Sequence, residues 1–200
     1  MDDLMARLPL RERKRLAAMR RIQSVALDLF EERGFEAITV DEIADAAEVS
    51  SSSIYRWFGT KEQIVIWDEY DPTALVAIEA ELATAPPLEA VRKVVQATVM
   101  AAFASDRERI ERRMRIAFEN PSVEAASTLQ TYQMASLIAQ VLADRLGRAV
   151  GDLHIQVFSH AFAGGIIGAL RHWYDTGFAT PISEVFDAPL TLLDQGIDLD

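Results

Sequence analysis

The stretch from Thr39 to Lys61, TVDEIADAAEVSSSSIYRWFGTK, constrains the fold more than any other part of this chain. Thr39 is followed three residues later by Glu42, which forms the pattern of a capping box and predicts a helix that begins at Val40. Apolar residues then recur at helical spacing and stop at Glu48, and Ser50 suits the N-cap of a second helix. The stretch is therefore predicted to form two short helices joined by a tight turn.

The second of these helices has one apolar and one polar side. Ile54 and Phe58 are four residues apart and are predicted to be buried together. Hydroxyl, aromatic and basic side chains with almost no acid occupy the other side, at Ser51, Ser52, Ser53, Tyr55, Arg56 and Trp57. A short second helix of this kind fits the major groove of DNA, which admits one helix. We therefore predict a helix-turn-helix that binds DNA.

At these residues the sequence resembles the TetR family of bacterial transcriptional repressors. The resemblance rests on the Thr-capped helix, on a four-residue turn, on a short recognition helix and on the start of the next helix. In this chain the matching residues are Thr39, Ala47-Glu48-Val49-Ser50, Ile54-Tyr55-Arg56-Trp57-Phe58 and Thr60-Lys61-Glu62, preceded by Ala26, Leu27, Leu29, Phe30, Glu32, Arg33, Gly34 and Phe35. The resemblance covers about the first third of the chain.

The resemblance implies which side chains contact DNA. Lys61 stands at a helix N-terminus, where backbone N–H groups also point outward toward a phosphate. Arg56 can donate two hydrogen bonds to guanine. By resemblance Thr39, Tyr55 and Lys61 contact phosphates. From their chemistry we add Trp57 for a phosphate, Ser51, Ser52 and Arg56 for base edges, and Ser50 and Ser53 at the same end of the helix.

Two positions depart from the family pattern. Glu48 stands where the family usually has glycine, and a backbone with positive φ is costly for a residue with a Cβ atom. We therefore expect a turn that is wider than usual or strained. Ser51 stands where many relatives carry lysine, so one contact to phosphate or guanine is absent and the affinity or the operator sequence should differ.

The formal net charge of −11 is distributed unevenly along the chain. Residues 1–62 contain 10 basic and 12 acidic side chains, whereas residues 63–200 contain 10 and 19. The first 21 residues are locally basic and contain Arg7, Arg11, Arg13, Lys14, Arg15, Arg20 and Arg21. We predict a basic arm that contacts phosphates or the minor groove of DNA, and the alternative is a solvated tail.

The remainder of the chain is predicted to be helical throughout. Proline and glycine breaks separate helical segments, and no strand-like alternation occurs. The predicted fold is all-α with about nine to ten helices. Residues 1–62 form the helix-turn-helix DNA-binding domain with its basic arm, and by resemblance residues 63–200 form a ligand-binding and dimerisation domain.

A cluster of small residues marks one helix of this second domain. Ala161, Gly164, Gly165 and Gly168 recur at spacings of three and four residues, which predicts a shallow groove. Glycine inside a helix costs about 1 kcal/mol relative to alanine, so close approach of another helix is expected. By resemblance the last two long helices pair with their twins in a four-helix dimer bundle. The alternative is packing against a helix of the same chain.

The effector site has no transferable motif. Large or adaptable side chains at inward positions are our pocket candidates: Trp67, Met100, Phe103, Phe118, Tyr132, Met134 and Phe162. The alternative for each is ordinary core packing. Arg112, Arg113 and Arg115 could bind an acidic ligand or form a solvated charged face. The helix order and the segments Trp-Asp-Glu-Tyr-Asp-Pro and His-Trp-Tyr resemble an actinobacterial-type subgroup that includes regulators of cofactor-biosynthesis clusters.

Several other classes of function are not supported by the sequence. The three histidines, His154, His160 and His172, are spaced so that no pair on one helix could chelate a metal, and no catalytic or nucleotide-binding motif occurs. We expect no enzyme activity, no metal and no cofactor. The absence of cysteine, of a signal-type segment and of an apolar run of about 18 residues predicts a soluble cytoplasmic protein without a membrane segment.

The predicted function is sequence-specific transcriptional regulation. We expect a homodimer that represses from a palindromic double-stranded operator and is released by an unknown small-molecule effector. The alternative is an effector-independent dimeric DNA-binding architectural protein. It would use the helix-turn-helix and the arm, and it would use the large second domain for dimerisation alone.

Overall fold

A computed structural model describes the backbone of residues 9–68 and 71–196 and, apart from 71–75, 99 and 105, their side chains. This part of the chain forms nine α-helices and no strand, which confirms the all-α prediction. The helices are α1 (Leu10–Arg33), α2 (Val40–Ala46), α3 (Ser51–Phe58), α4 (Lys61–Ile66), α5 (Asp71–Glu81), α6 (Pro87–Glu119), α7 (Pro121–Leu146), α8 (Leu153–Asp175) and α9 (Ile182–Gln195).

The basic segment near the N-terminus is mostly helical. Helix α1 begins directly after Pro9, so the basic residues from Arg11 onward lie on a helix instead of an extended arm. Arg15 forms an ion pair with Glu12. Arg7 lies outside the described residues. The arm prediction therefore needs correction for residues 11–21, where the absence of proline and glycine allows the helix to continue.

Helix α6 is interrupted at Asp106. Its φ of −160° and ψ of 42° are not helical, and regular helix lies on both sides of it. The break coincides with a division of the chain, because residues up to Arg107 belong to one compact unit and Glu108 begins a segment of the other.

The first compact unit comprises Met1–Glu69 and Glu108–Ala126. It is larger than the predicted domain of residues 1–62, because α4 and the second half of α6 share its core. Ile64, Val65, Ile116 and Ala117 are all buried in the same apolar cluster as the helix-turn-helix. The periodicity of each helix indicated which side is apolar but not which core that side joins.

The second compact unit comprises Tyr70–Arg107 and Ser127–Asp200. Its core contains side chains from α5 to α9: Ile78, Leu82, Ala90, Val91, Val94, Ile138, Ala139, Leu142, Ala143, Ile155, Phe162 and Leu190. Arg92 on α6 pairs with Asp187 on α9. Trp173 is fully buried, and its indole N–H donates to the carbonyl of Thr180 at 2.9 Å. These contacts hold α9 against α8 and the first half of α6.

Helix α8 carries an apolar surface that the described chain does not cover. By length and composition alone it could cross a bilayer, although polar residues interrupt its apolar sequence. In its most apolar 18-residue window, 22% of the residues are buried. An exposed apolar helix can lie in a protein–protein interface or in a membrane. The class of protein to which the chain belongs decides between the two.

Candidate nucleic-acid interface

The first helix of the helix-turn-helix begins at a complete capping box. The Thr39 hydroxyl accepts a hydrogen bond from the Glu42 N–H at 3.2 Å, and the Glu42 carboxylate accepts one from the Thr39 N–H at 2.9 Å. The Thr39 N–H and then Arg33 lower the pKa of Glu42 from 4.5 to about 2. Since the folded pKa is depressed, this contribution to stability is present above pH 4.5 and is lost as the pH falls toward 2. The Thr39 hydroxyl is thus already engaged within the protein.

The turn between α2 and α3 has the predicted left-handed residue. Glu48 has a φ of 54°, which is the conformation expected for the glycine of the family pattern. Val49 N–H donates to the Ala44 carbonyl at 2.9 Å and closes the turn. Arg21 on α1 donates to the carbonyl of Ala47 and lies 3.9 Å from the Glu48 carboxylate. Arg21, assigned to the arm from sequence, therefore supports the turn.

Glu48→Gly is expected to raise the free energy of unfolding by about 1 kcal/mol, because a left-handed backbone costs about that much for a residue with a Cβ atom. Urea unfolding measures the change. Glu48→Ala is the control, since alanine loses the Arg21 ion pair but keeps the strained backbone. Equal stability of the glycine and alanine variants would contradict backbone strain at this turn.

The recognition helix α3 is built as the sequence predicts. Ser50 accepts from the Ser53 N–H as N-cap, and Ile54 and Phe58 are buried. Tyr55 is 55% exposed. The outer surface of the helix is thus available to a ligand.

Hydroxyl groups cluster at the N-terminal end of α3. The Ser50 hydroxyl lies 3.0 Å from that of Ser52 and 2.9 Å from that of Ser53. Arg56 donates to the Ser53 hydroxyl at 3.3 Å, and its guanidinium lies 5.4 Å from the ring centroid of Trp57. Trp57 is half-buried and packs against the core of the first unit. The guanidinium of Arg56, from the last turn of this short helix, thus meets the hydroxyl cluster of its first turn.

The first residue of α3 has a partner that the sequence did not indicate. The hydroxyl of Ser51 donates to the carboxylate of Asp41, which is exposed in the first turn of α2. Asp41 was not among the candidates, since nothing in its local spacing relates it to a residue ten positions away. An acidic group therefore lies beside the end of the helix that we expect to meet DNA bases.

Lys61, predicted to contact a phosphate, also has partners within the protein. Its ammonium group donates to the carbonyls of Phe35 at 2.7 Å and Ile38 at 3.0 Å, and lies 4.2 Å from the ring centroid of Phe35. The loop after α1 leaves these carbonyls without helical partners, and the long side chain of Lys61 reaches them. These two carbonyls use two of the three donors of the ammonium group, so the third stays available to a phosphate.

Lys61→Met is consequently expected to lower the free energy of unfolding by about 1 to 2 kcal/mol, because two carbonyls lose a charged donor. The salt slope of DNA binding should also fall by about one, because one phosphate contact is lost. Thermal unfolding and DNA titrations at several salt concentrations measure the two effects. Lys93→Met, which removes an exposed lysine paired with Glu81, should change stability by less than about 0.5 kcal/mol. An unchanged salt slope would contradict the phosphate role of Lys61.

Helix α4 is held at its C-terminal end by the buried side chain of Gln23. Its amide nitrogen donates to the carbonyls of Ile64 at 2.7 Å and Trp67 at 2.9 Å. Its amide oxygen accepts from Arg109 at 2.9 Å. Trp67 also meets the ring of Phe58 edge-on at 5.9 Å. Trp67, predicted to line a ligand pocket, is thus part of the core of the DNA-binding unit.

Arg113 also binds carbonyls at the C-terminal end of α4. It is 5% exposed and donates to the carbonyls of Val65 at 2.9 Å and Ile66 at 2.7 Å. It also forms an ion pair with Asp68 at 3.1 Å. Its neighbour Arg112 pairs with Asp28 and Glu31 on α1. These two arginines bind groups of the protein itself, so neither the acidic-ligand nor the solvated-face interpretation applies to them.

Comparison with protein-family models agrees with this geometry. Residues 22–66 match the model of bacterial regulatory proteins of the tetR family. Residues 85–198, more than half of the chain, match the model of the MftR C-terminal domain. The chain belongs to the TetR family of bacterial regulatory proteins. This confirms the resemblance noted at the recognition helix, and members of the TetR family are transcriptional regulators.

Individual proteins similar to this TetR-family chain extend over nearly its whole length. A Mycobacterium tuberculosis protein described as the mycofactocin biosynthesis transcriptional regulator MftR is 25% identical, over 93% of this chain and 94% of its own. Among solved structures, Thermus thermophilus FadR in complex with lauroyl-CoA has a TM-score of 0.55 at 21% identity and covers 91% of this chain and 96% of its own. Pseudomonas aeruginosa NalD has a TM-score of 0.60 at 16% identity and covers 93% of this chain and 99% of its own. Structural similarity at these identities shows the TetR fold.

The pocket candidates of this TetR protein belong to both compact units. Phe118 and Trp67 belong to the first unit. In the second unit, Met100 is 51% exposed and Tyr132 is 61% exposed. The others pack against neighbouring side chains: Phe103 lies 5.3 Å from Trp173, while Phe162 and Met134 join the core of the second unit. Trp67 and Phe162 are each held among apolar neighbours.

The small residues of α8 divide into two groups. A Cβ atom added to Gly165 would lie 3.0 Å from the Cβ of Pro189 on α9, so this glycine allows two helices of one chain to approach. For Gly165 the within-chain alternative therefore applies. Ala161 is exposed, and a Cβ atom added to Gly164 or Gly168 would meet nothing within 4 Å. For these three residues the interface prediction stays a prediction.

Proposed function

We propose that this protein is a homodimeric repressor that binds a palindromic double-stranded operator and leaves it when a small molecule occupies its second unit. The observation that carries the proposal is the outward surface of α3, which joins a serine cluster to Arg56 on a helix capped by Ser50. The N-terminal residues of a recognition helix contact base edges in the major groove. Hydroxyl and guanidinium groups are the donors and acceptors that such edges require.

The proposed dimer interface is the exposed side of α7 and α8. On α8, Leu153 is 71% and Val157 is 58% exposed. At about 100° per residue, these two and the small residues fall in one stripe about 80° wide, formed by Leu153, Val157, Ala161, Gly164 and Gly168. A stripe of this kind on a TetR-family chain supports association with a second copy better than a membrane span.

Helix α7 continues this apolar surface. Leu129, Tyr132 and Leu137 are 59%, 61% and 49% exposed. The ring of Tyr132 lies 5.1 Å from that of His160 on α8, so the exposed sides of the two helices are neighbours. Two such helices from each chain would form a four-helix bundle and hold two recognition helices at a fixed separation. Half-sites about 34 to 36 Å apart along the DNA, or a multiple of this, then follow from the symmetry.

The effector part of the proposal rests on the second unit. Thermus FadR, which has a similar fold, is in complex with lauroyl-CoA. The second unit of this chain is a helical domain rich in apolar side chains, and Met100, Phe103, Tyr132, Met134 and Phe162 remain our candidates near a ligand. An effector that binds the DNA-free conformation more tightly shifts the population away from the operator. The protein would act in the cytoplasm, where the operator is.

The experiment that tests the function is selection of bound DNA from a random pool by the purified full-length protein at several salt concentrations. A palindromic site and a steep salt slope are expected. Weak binding without sequence preference would overturn the repressor and favour the architectural protein. A selected site that no candidate effector releases, with no effector shifting the melting temperature, would retain the DNA-binding function and remove the effector.

A further inference from the structure

The carboxylate of Asp41 is placed at the DNA end of the helix-turn-helix. Asp41 is in the first turn of α2, and Ser51 at the start of α3 donates its hydroxyl hydrogen to Asp41 Oδ1. The carboxylate is therefore held next to the N-terminal end of the recognition helix. Residues at this end of such a helix contact base edges, so Asp41 is close to where bases will lie.

Asp41 has no cation to neutralise it within the described part of the chain. Its one hydrogen bond there is from Ser51, and Oδ2 accepts none. DNA phosphates repel a carboxylate, so an acid in this position weakens binding unless it meets a hydrogen-bond donor on the DNA. The major groove offers such donors only as the amino groups of cytosine and adenine.

The pattern of base edges decides between these two donors. Adenine presents the N7 acceptor beside its N6 amino group, and this acceptor repels a second carboxylate oxygen. Cytosine presents its N4 amino group without a neighbouring acceptor on the same base. Guanine and thymine present acceptors alone at these edges, which exclude a carboxylate. Cytosine is therefore the base that suits Asp41.

We propose that Asp41 selects a cytosine in each half-site by accepting a hydrogen bond from its N4 amino group, and that Ser51 is the positioning residue. This inference rests on the proposed function, because it requires binding to a specific operator. The Ser51 bond fixes one carboxylate oxygen and leaves the other to face the groove. A purely structural pairing of α2 with α3 would need the same bond but would select no base.

The test is selection from a random DNA pool by four proteins: the unaltered chain, Asp41→Asn, Asp41→Ala and Asp45→Asn. Asp45 is the matched control, because it is an exposed aspartate one turn further along α2. The unaltered chain and Asp45→Asn should enrich the same cytosine in both half-sites. Asp41→Ala should lose that preference, and Asp41→Asn should exchange it for adenine, since an amide pairs with both N6 and N7.

A second measurement removes the donor from the DNA instead of the acceptor from the protein. The selected cytosine is replaced by 2-pyrimidinone, which lacks the amino group. Affinity of the unaltered chain should fall by roughly tenfold, whereas the affinity of Asp41→Ala should not change. For Ser51→Ala the fall should be smaller than for the unaltered chain.

The outcomes separate this inference from the function on which it rests. If the unaltered chain selects an operator but Asp41→Ala selects the same one, with cytosine retained, the cytosine contact is wrong and the repressor stands. If 2-pyrimidinone lowers the affinity of the unaltered chain and of Asp41→Ala equally, the cytosine contact is likewise wrong. If the unaltered chain selects no site at all, the proposed function fails and the cytosine contact fails with it.

Discussion

Gly164→Leu and Gly165→Leu are expected to have opposite effects, although the two glycines are adjacent on α8. A leucine at position 165 would collide with Pro189, so we expect a loss of about 1 to 3 kcal/mol in the free energy of unfolding. At position 164 an added Cβ atom would meet no described residue within 4 Å, and leucine improves helix propensity by about 1 kcal/mol. In the proposed dimer, however, it would hold the two copies of α8 apart and yield monomers.

Sedimentation velocity and urea unfolding of the two variants measure these effects. Gly164→Leu should sediment as a folded monomer. Gly165→Leu should show its main effect in urea unfolding, as a lower free energy of unfolding. Val157→Glu should also yield monomers, because each copy would bring one glutamate into the proposed interface. This variant changes no glycine. Stable dimers of both Gly164→Leu and Val157→Glu would overturn the interface on α8.

The caps and the turn of the helix-turn-helix could be predicted because their partners are close in sequence. The Thr39 box spans three residues, and the cap of α3 joins Ser50 to Ser53. The left-handed backbone at Glu48 could be predicted because Glu48 stands where the family usually has glycine. Interactions over such distances depend on residue type and spacing, which the sequence states directly.

The roles of the long basic side chains could not be predicted in this way. Lys61 bonds to carbonyls 23 and 26 residues earlier, and Arg112 to acids more than 80 residues earlier. A lysine or arginine has the same local pattern whether it faces DNA, solvent or a carbonyl. The fold determines which acceptor it reaches, and the return of residues 108–126 to the first unit was not visible in the helical periodicity.

The same limit applies to the candidates of the second unit. Periodicity assigned Tyr132 and Met100 to inward positions, yet both are mostly exposed. Long helices in a bundle have more than one apolar side when one side is reserved for another chain. A sequence pattern cannot distinguish the side that faces the core from the side that faces a partner. On α8, for example, Gly165 lies against Pro189 of the same chain, whereas its neighbour Gly164 lies against no described residue.

Arg113→Met is expected to lower the free energy of unfolding by roughly 2 to 4 kcal/mol and the Tm by roughly 6 to 12 °C. Arg113 is buried and bonds the Val65 and Ile66 carbonyls at the end of α4, where no backbone N–H of a described residue replaces it. Methionine fills a similar volume but leaves both carbonyls and the Asp68 carboxylate without this donor. Because α4 contacts α1 and α3, loss of its C-terminal end should also weaken operator binding.

The control for Arg113→Met is Arg115→Met, on the same helix two residues further. Arg115 is exposed and pairs with Glu111 at 3.7 Å, so its loss should cost less than about 1 kcal/mol. Calorimetry of both variants against the unaltered chain measures the difference. Similar small losses would mean that solvent can replace Arg113 at the carbonyls. A large loss confined to Arg113 would show that the second half of α6 is needed to hold the DNA-binding unit together, which is why residues 1–62 alone should not form a stable domain.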